Sequence, residues 1–328
     1  MSQMKIVIPG GTGQIGNILC RSFAAAGDEV VVLTRNPRPD SRFRFVQWDG
    51  KTLCNWTQEI EGADVVINLA GKSVNCRYGK KNRRDIMDSR VDSVRAIRRA
   101  IEKAKRPPRV WLQAATATIY AHRFDAPNDE LAGIIGGAEP NAPDTWRFSI
   151  DVAKAWESAV TESGPLPRTR IVIMRSAMTM SPDRSGIFAH LLGLVRLGLG
   201  GRASDGRQFI SWIHEFDFIR AVRFLIDNDE LDGVFNVCSP NPLPNSEFMR
   251  ELRRAWGMRI GLPATKWMLE VGAFFMRTET ELILKSRRVV PARLLQHGFE
   301  FDFPYWLDAA KELCARYSKS AKIAQERK

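Results

Sequence analysis

Near its N-terminus the chain reads Gly10-Gly11-Thr12-Gly13-Gln14-Ile15-Gly16, four glycines in seven residues. The run before it, Lys5-Ile6-Val7-Ile8-Pro9, is short and apolar, as a buried strand is. The stretch after it, Asn17 to Ala26, carries Ile18, Leu19, Ser22 and Phe23 at helical spacing, and Gly27 stands where a helix-ending glycine belongs. Glu29-Val30-Val31-Val32-Leu33 is then a second buried strand. Strand, glycine turn, helix and strand in about thirty residues is the setting that makes a glycine motif a dinucleotide-binding fingerprint. The competing reading is a glycine-rich turn that holds nothing.

Each glycine has its own task in the fingerprint. Gly10 permits the tight turn out of the strand, Gly13 lets the backbone approach a pyrophosphate, and Gly16 lets the helix pack close to the sheet. The pyrophosphate belongs on the helix N-terminus, where N–H groups and the dipole favour anions. That makes Thr12, Gln14 and Ile15 cofactor-binding candidates beside the glycines.

The second strand ends Leu33-Thr34-Arg35-Asn36-Pro37. NAD-binding units usually carry a carboxylate there for the ribose 2′-hydroxyl. Here Thr34 is followed by a guanidinium, and Arg35 can take a 2′-phosphate bidentately and lie against the adenine. NADP(H) is therefore expected rather than NAD, the alternative being a solvated arginine at a strand end. A third strand, Phe43 to Gln47, leads to Asp49, a candidate for the adenine amino group.

The pattern then repeats. Ala63 to Gly71 is a strand running into the small-residue turn Leu69-Ala70-Gly71, which would let backbone pass the cofactor's ribose and phosphates. A helix is expected from Asp85 to Lys105, ended by Pro107-Pro108, and further strands at Val110–Ala115 and Arg170–Met174. Strands alternating with helices imply an α/β fold, a Rossmann-type doubly wound parallel sheet.

Composition excludes several classes. The 328 residues are 44% hydrophobic and 26% charged, which is globular. No apolar run approaches the ~18 residues of a membrane span. The first ten residues are too few for a signal peptide ahead of the strand, so a cytoplasmic protein is expected. Five cysteines without a CxxC argue against a disulfide framework or structural zinc, and four histidines argue against a metal site. The net charge of +12 points to an anionic partner or to a basic solvated surface. Its clusters, Arg77–Arg84 and Arg287–Arg293, lack zinc-finger spacing or RNA-binding aromatics, so a small-molecule substrate is expected rather than nucleic acid.

The chain resembles the extended short-chain dehydrogenase/reductase superfamily. The resemblance lies in Gly10-x-x-Gly13-x-x-Gly16, Asn68-Leu69-Ala70-Gly71, Thr116-Ala117-Thr118-Ile119-Tyr120, and Trp212-Ile213-His214 with Asp217. It is most similar to an atypical subgroup labelled as epimerase-family proteins, with a C-terminal domain of their own. The pieces for that are Asp88-Ser89-Arg90-Val91, Ala155-Trp156-Glu157, Arg196 to Gly201, Gly206 to His214, Arg288-Val289-Val290-Pro291 and His297-Gly298-Phe299.

The superfamily implies a Ser or Thr that orients the substrate, then Tyr-x-x-x-Lys, with the tyrosine as acid/base and the lysine lowering its pKa and holding the nicotinamide ribose. Thr116 matches the hydroxyl position. The helix that should carry the pair runs Ser149 to Thr161. Its lysine is Lys154, but the residue four before it is Ile150; anchoring on Glu157 gives Ser149 and Ala153. Neither register supplies a tyrosine, and Ile150, Ala153, Trp156 and Val160 form a core stripe. Lys154 either touches the cofactor or pairs with Glu157. By strand position Tyr120 and His214 are the substitutes for the proton donor, although His214 and Asp217 also read as structural. Nucleotide-sugar epimerases tend to place a phosphate-binding arginine where this chain has Ile210, which weakens a nucleotide-sugar substrate.

The expected division is an NADP-binding domain over 1–180, rejoined by 202–238, with a mostly helical substrate or lid region over 181–201 and 239–317. Helices are expected at Phe188–Val195 and at Ser246–Trp256, the latter capped by Asn245 or Ser246. Trp267 to Met276 is apolar enough for core, pocket or dimer face, and 318–328 reads as a fraying tail. Two functions stay open: an oxidoreductase or isomerase, and a non-catalytic NADPH-binding sensor or scaffold. The oligomeric state has no signature in the sequence.

Overall fold

The computed structural model describes residues 3–38, 42–140, 142–184, 186–265 and 281–326. Its first elements are β1 (Lys5–Pro9), α1 (Gln14–Ala25), β2 (Glu29–Thr34), β3 (Arg44–Gln47), β4 (Val65–Asn68), α2 (Lys80–Lys103), β5 (Val110–Thr116), α3 (Asp144–Thr161) and β6 (Arg170–Ser176). There follow β7 (Met178–Met180), α4 (Ile187–Arg196), β8 (Phe209–Ile210), β9 (Trp212–His214), α5 (Glu215–Asp227), β10 (Gly233–Val237), β11 (Leu243–Pro244) and α6 (Asn245–Trp256). The last three are α7 (Glu281–Leu284), α8 (Ala292–Gln296) and α9 (Trp306–Glu326).

One sheet has the strand order β10-β6-β5-β4-β1-β2-β3. β1 pairs in parallel with both β2 and β4, so the winding direction reverses between β1 and β4. That reversal opens a crevice at the carboxyl ends of the strands, where open α/β sheets bind ligands. The sequence expectation of a Rossmann-type doubly wound sheet is met.

Packing divides the chain into two units. The first comprises 1–119, 148–176 and 219–235; the second comprises 120–147, 177–218 and 236–328. The return into the first unit is 219–235, against an expected 202–238. The reason is pairing: β8 bonds to β11 and β9 to β7, outside the large sheet.

The first unit's strands are buried runs, with Ile6 to Ile8, Val31 to Leu33, Val65 to Ile67 and Val110 to Leu112 all closed to solvent. A parallel sheet covered on both faces needs such continuous runs. On α3, Ile150, Ala153, Trp156 and Val160 are buried, the stripe that periodicity predicts. In the second unit, Phe188 and Leu192 of α4, Phe248 and Leu252 of α6, and Trp306 and Leu313 of α9 share one core. The rings of Phe248 and Trp306 stack at 4.0 Å, and the indole donates to Phe248 O at 2.9 Å.

Several boundaries differ from expectation. α2 starts at Lys80, not Asp85, and α3 at Asp144, not Ser149. The first turn of α2, Lys80 to Arg84, is wholly polar and hides from a hydrophobic pattern. Asn245 is not the cap of α6: Pro244 is, and the Asn245 carboxamide accepts the Ala203 N–H at 2.7 Å. α9 runs to Glu326, through most of the segment whose composition suggests a fraying tail. Residues 267–276 lie outside the described residues. Among the described residues no helix is long and apolar enough to cross a membrane.

Candidate functional site

The glycine turn is built where three strands meet. Gly10 N–H donates to Leu33 O at 2.9 Å, and Leu69 N–H to Pro9 O at 2.9 Å, so the ends of β1, β2 and β4 are tied together. Gly10 has φ +76°, and an added Cβ would lie 2.7 Å from Ala70 Cα. Both facts require glycine there. At Gly16 an added Cβ would lie 2.4 Å from Gly11 Cα, so this glycine lets α1 pack against the turn itself rather than against the sheet.

Gly13 is different. An added Cβ would meet only Gly10 O, at an ordinary 3.7 Å. The fold tolerates a side chain here, so its absence leaves backbone bare on the open side. Gly13 is also the N-cap of α1, with ψ 175°, no side-chain cap and no acid in the first turn. The first intrahelical bond, Asn17 N–H to Gly13 O, leaves the amides of the first turn ahead of it. Thr12 is braced from behind, its carbonyl accepting the Asn17 side chain at 3.1 Å. An uncapped N-terminus with a bare N-cap residue suits a pyrophosphate.

Along β2 every residue from Val30 to Thr34 is buried, and Arg35, the next, is exposed. Its guanidinium is therefore available to a ligand at the strand end. Asp49 is engaged in a turn of its own, its Oδ1 accepting the amides of Lys51 at 2.9 Å and Thr52 at 2.8 Å.

The turn after β4 is held by buried and half-buried polar side chains. Asn68 Oδ1 accepts Ala70 N–H at 3.1 Å, while its Nδ2 donates to Gln113 Oε1 at 2.9 Å. Ser89 Oγ accepts Lys72 N–H at 2.9 Å, and Arg90 Nη1 donates to Lys72 O at 3.0 Å. The turn Leu69-Ala70-Gly71 thus has a fixed path at the carboxyl end of β4. Ser89 and Arg90 come from the Asp88–Val91 segment, whose task spacing alone does not reveal.

Thr116 ends β5, its Oγ1 accepting Thr118 N–H at 3.1 Å. Lys154 is exposed on α3. The alternative pairing of Lys154 with Glu157 is displaced, because Glu157 forms a fork with Arg175 at 2.7 and 2.8 Å. Ile150 is fully buried.

In the second unit the two substitutes for the tyrosine are already engaged. Tyr120 is 2% exposed and its hydroxyl donates to Asn236 Oδ1 at 3.0 Å. Asn236 in turn donates to Val290 O at 3.0 Å and, through its amide, to Glu130 Oε1 at 2.7 Å. His214 Nε2 faces Glu312 at 2.9 Å and its Nδ1 accepts Phe216 N–H at 3.1 Å. Burial holds its pKa down, against the pull of Glu312. Asp217 accepts the amides of Asp302 and Phe303 at 2.8 and 2.9 Å. These groups bind the unit together.

His122 is the residue the sequence reading misses. Its Nδ1 accepts Ser286 N–H at 2.8 Å, so the neutral ring carries its proton on Nε2. Burial, then the nearby Lys285 ammonium, lower its pKa, so the ring is neutral near pH 7. Nε2 meets no partner among the described residues, and the ring lies between Phe124 at 4.9 Å and Trp146 at 4.7 Å. Its only sequence signal is that it follows Tyr120 by two positions on the chain leaving β5. Among the described residues no His, Cys, Asp or Glu cluster could hold a metal ion.

Residues 6–238 match the model of the NAD dependent epimerase/dehydratase family, and 264–313 match a domain of unknown function, DUF1731. The chain is 30% identical to the epimerase family protein SDR39U1 of Bos taurus over 95% of its own length and 100% of the relative's. It is 28% identical to the epimerase family protein YfhF of Bacillus subtilis, covering 92% of this chain and 94% of that one. Among solved structures it is similar to human SDR39U1 with NADPH, at TM-score 0.80 and 28% identity, over 95% of this chain and 99% of that chain.

Proposed function

Because the chain belongs to the NAD dependent epimerase/dehydratase family, we propose that its first unit binds NADP(H) and that it acts as an oxidoreductase or isomerase on a small substrate. One observation carries the cofactor choice: Arg35, exposed at the end of β2, stands where a carboxylate would select NAD. The human relative's structure with NADPH supports the same reading.

The residues fit the dinucleotide. Gly13 and the first turn of α1 would hold the pyrophosphate, with Thr12, Gln14 and Ile15 around it, and Arg35 would hold the 2′-phosphate. When bound, NADPH supplies a hydride. On this chain's side, the Thr116 hydroxyl orients the substrate oxygen. Lys154, exposed on α3, is assigned to the nicotinamide ribose.

The second reading is a protein that binds NADPH without turnover, a sensor or scaffold. Buried Ile150 favours it, standing four residues before Lys154 where the superfamily has its tyrosine. Five cysteines, an odd number without a CxxC, support a reducing, cytoplasmic setting for either reading. The test is oxidation of NADPH by purified protein with a panel of aldehydes, ketones and nucleotide sugars. Oxidation by a simple carbonyl, lost in Thr116→Ala, supports the enzyme. Turnover of a nucleotide sugar that is lost in Lys154→Ala restores the ordinary superfamily chemistry instead. Tight NADPH binding with no oxidation supports the sensor.

A further inference from the structure

Arg90 is a cation where one is costly. Arg90 is half-buried, and desolvation of its guanidinium pulls its pKa down to about 10. Among the described residues no carboxylate pairs with it. Its Nη1 donates to Lys72 O and to Ile86 O, each at 3.0 Å, and its plane lies 4.9 Å from the centre of the Trp156 ring. An apolar side chain of similar length would fill the same space without desolvating a charge. What it would not do is hold the Lys72 carbonyl. Nor would it present a planar face to both an indole and the turn.

That turn is the one after β4. An added Cβ at Gly71 would lie 3.3 Å from both Cγ and Cζ of Arg90, so the arginine walls one side of Gly71. Together with Ser89 it fixes both backbone polar groups of Lys72. Trp156, its stacking partner, lies on α3 two positions past Lys154. Arg90 therefore braces the β4 turn against the helix that carries Lys154.

Strand order says which part of a dinucleotide this turn faces. Arg35 marks the β2 end as the adenosine side. A dinucleotide laid across the reversal between β1 and β4 puts its other half over the β4 end. We propose that Arg90, braced on Trp156, is a positioning residue for the nicotinamide-ribose half of the bound dinucleotide. This rests on the NADP(H) reading above.

The test uses two probes on the full chain: NADPH, and adenosine 2′,5′-bisphosphate, which has the adenosine half alone. Arg90→Met is expected to weaken NADPH roughly tenfold, the effect of one charge-assisted hydrogen bond, and to leave the bisphosphate within about twofold. Arg90→Lys keeps the stem and charge, and is expected to show a smaller loss confined to NADPH. Equal losses for both probes mean that Arg90 supports only the fold, and overturn the proposal. So does undiminished NADPH binding in either folded variant. A wild-type protein that binds neither probe instead defeats the NADP(H) reading, a result distinguishable from the other two.

Discussion

The two units are held together by different physics. The first is a sheet of continuous apolar strands, with side-chain ties at both strand ends: Asn68 and Ser89 at a carboxyl-end turn, Asp64 and Arg170 at the opposite ends. The second has strands of two or three residues and isolated bridges such as Asn128 with Val289. Its loops are tied by buried or half-buried side chains: Asn236 and Glu130 to the 288–293 segment, Asp217 to Asp302 and Phe303, and Ser211 to Val289. Where strands supply the hydrogen bonds, turn backbone such as that at Gly13 is left bare for a ligand. Where strands are short, polar side chains are consumed in holding the backbone.

The largest expected effect sharpens that contrast within one turn. Gly13→Val should abolish NADPH binding while thermal unfolding stays within a few degrees of wild type, because an added Cβ meets only Gly10 O, at an ordinary 3.7 Å. Gly16→Val should instead destabilise by about 1–3 kcal/mol or more, since its Cβ would overlap Gly11. Fluorescence titration and a melting curve on both variants suffice. A folded Gly13→Val protein that still binds NADPH would break the distinction between ligand glycine and packing glycine.

In the second unit, Asn236→Ala removes the acceptor of the Tyr120 hydroxyl and the donor to Val290 O. Two buried groups left unsatisfied should cost about 2–4 kcal/mol, read as a shift in denaturant midpoint at unchanged slope. A neutral result would mean that these polar ties are not what holds the unit.

This division explains what the sequence makes legible. β1, α1, β2 and the glycine turn follow from apolar runs and glycine spacing, because a sheet buried on both faces writes itself as uninterrupted hydrophobic residues. The cofactor side of the site is readable for the same reason. The second unit is not, since Asn236 and Asp217 look like any surface polar residues until the fold buries them. His122 was hidden in the same way. Its tautomer is set by Ser286, 164 positions away in sequence. Tyr120 and His214 look like proton donors by strand position, and only packing shows them committed to Asn236 and Glu312.

A smaller effect concerns acid. The His122 pKa is held below its ordinary 6.5 in the folded protein, so the unfolded chain binds more protons in that range. Stability is therefore expected to be complete above pH 6.5 and to fall as pH drops below it. His122→Asn keeps an acceptor for Ser286 N–H but does not titrate. It should flatten part of that fall, the remainder coming from His214, whose pKa is also lowered. Identical pH profiles for variant and wild type would mean that the ring is not held neutral.

The central claim is that the first unit is an NADP(H) site selected by Arg35. A paired titration of wild type with NADPH and NADH tests it most directly, with Arg35→Asp as the control. A charge-assisted bond to the 2′-phosphate contributes ~1.5–3 kcal/mol, so NADPH is expected to bind roughly tenfold to a hundredfold tighter than NADH, and Arg35→Asp to erase the difference. Equal affinities in the wild type, or a preference for NADPH that survives Arg35→Asp, would contradict the account.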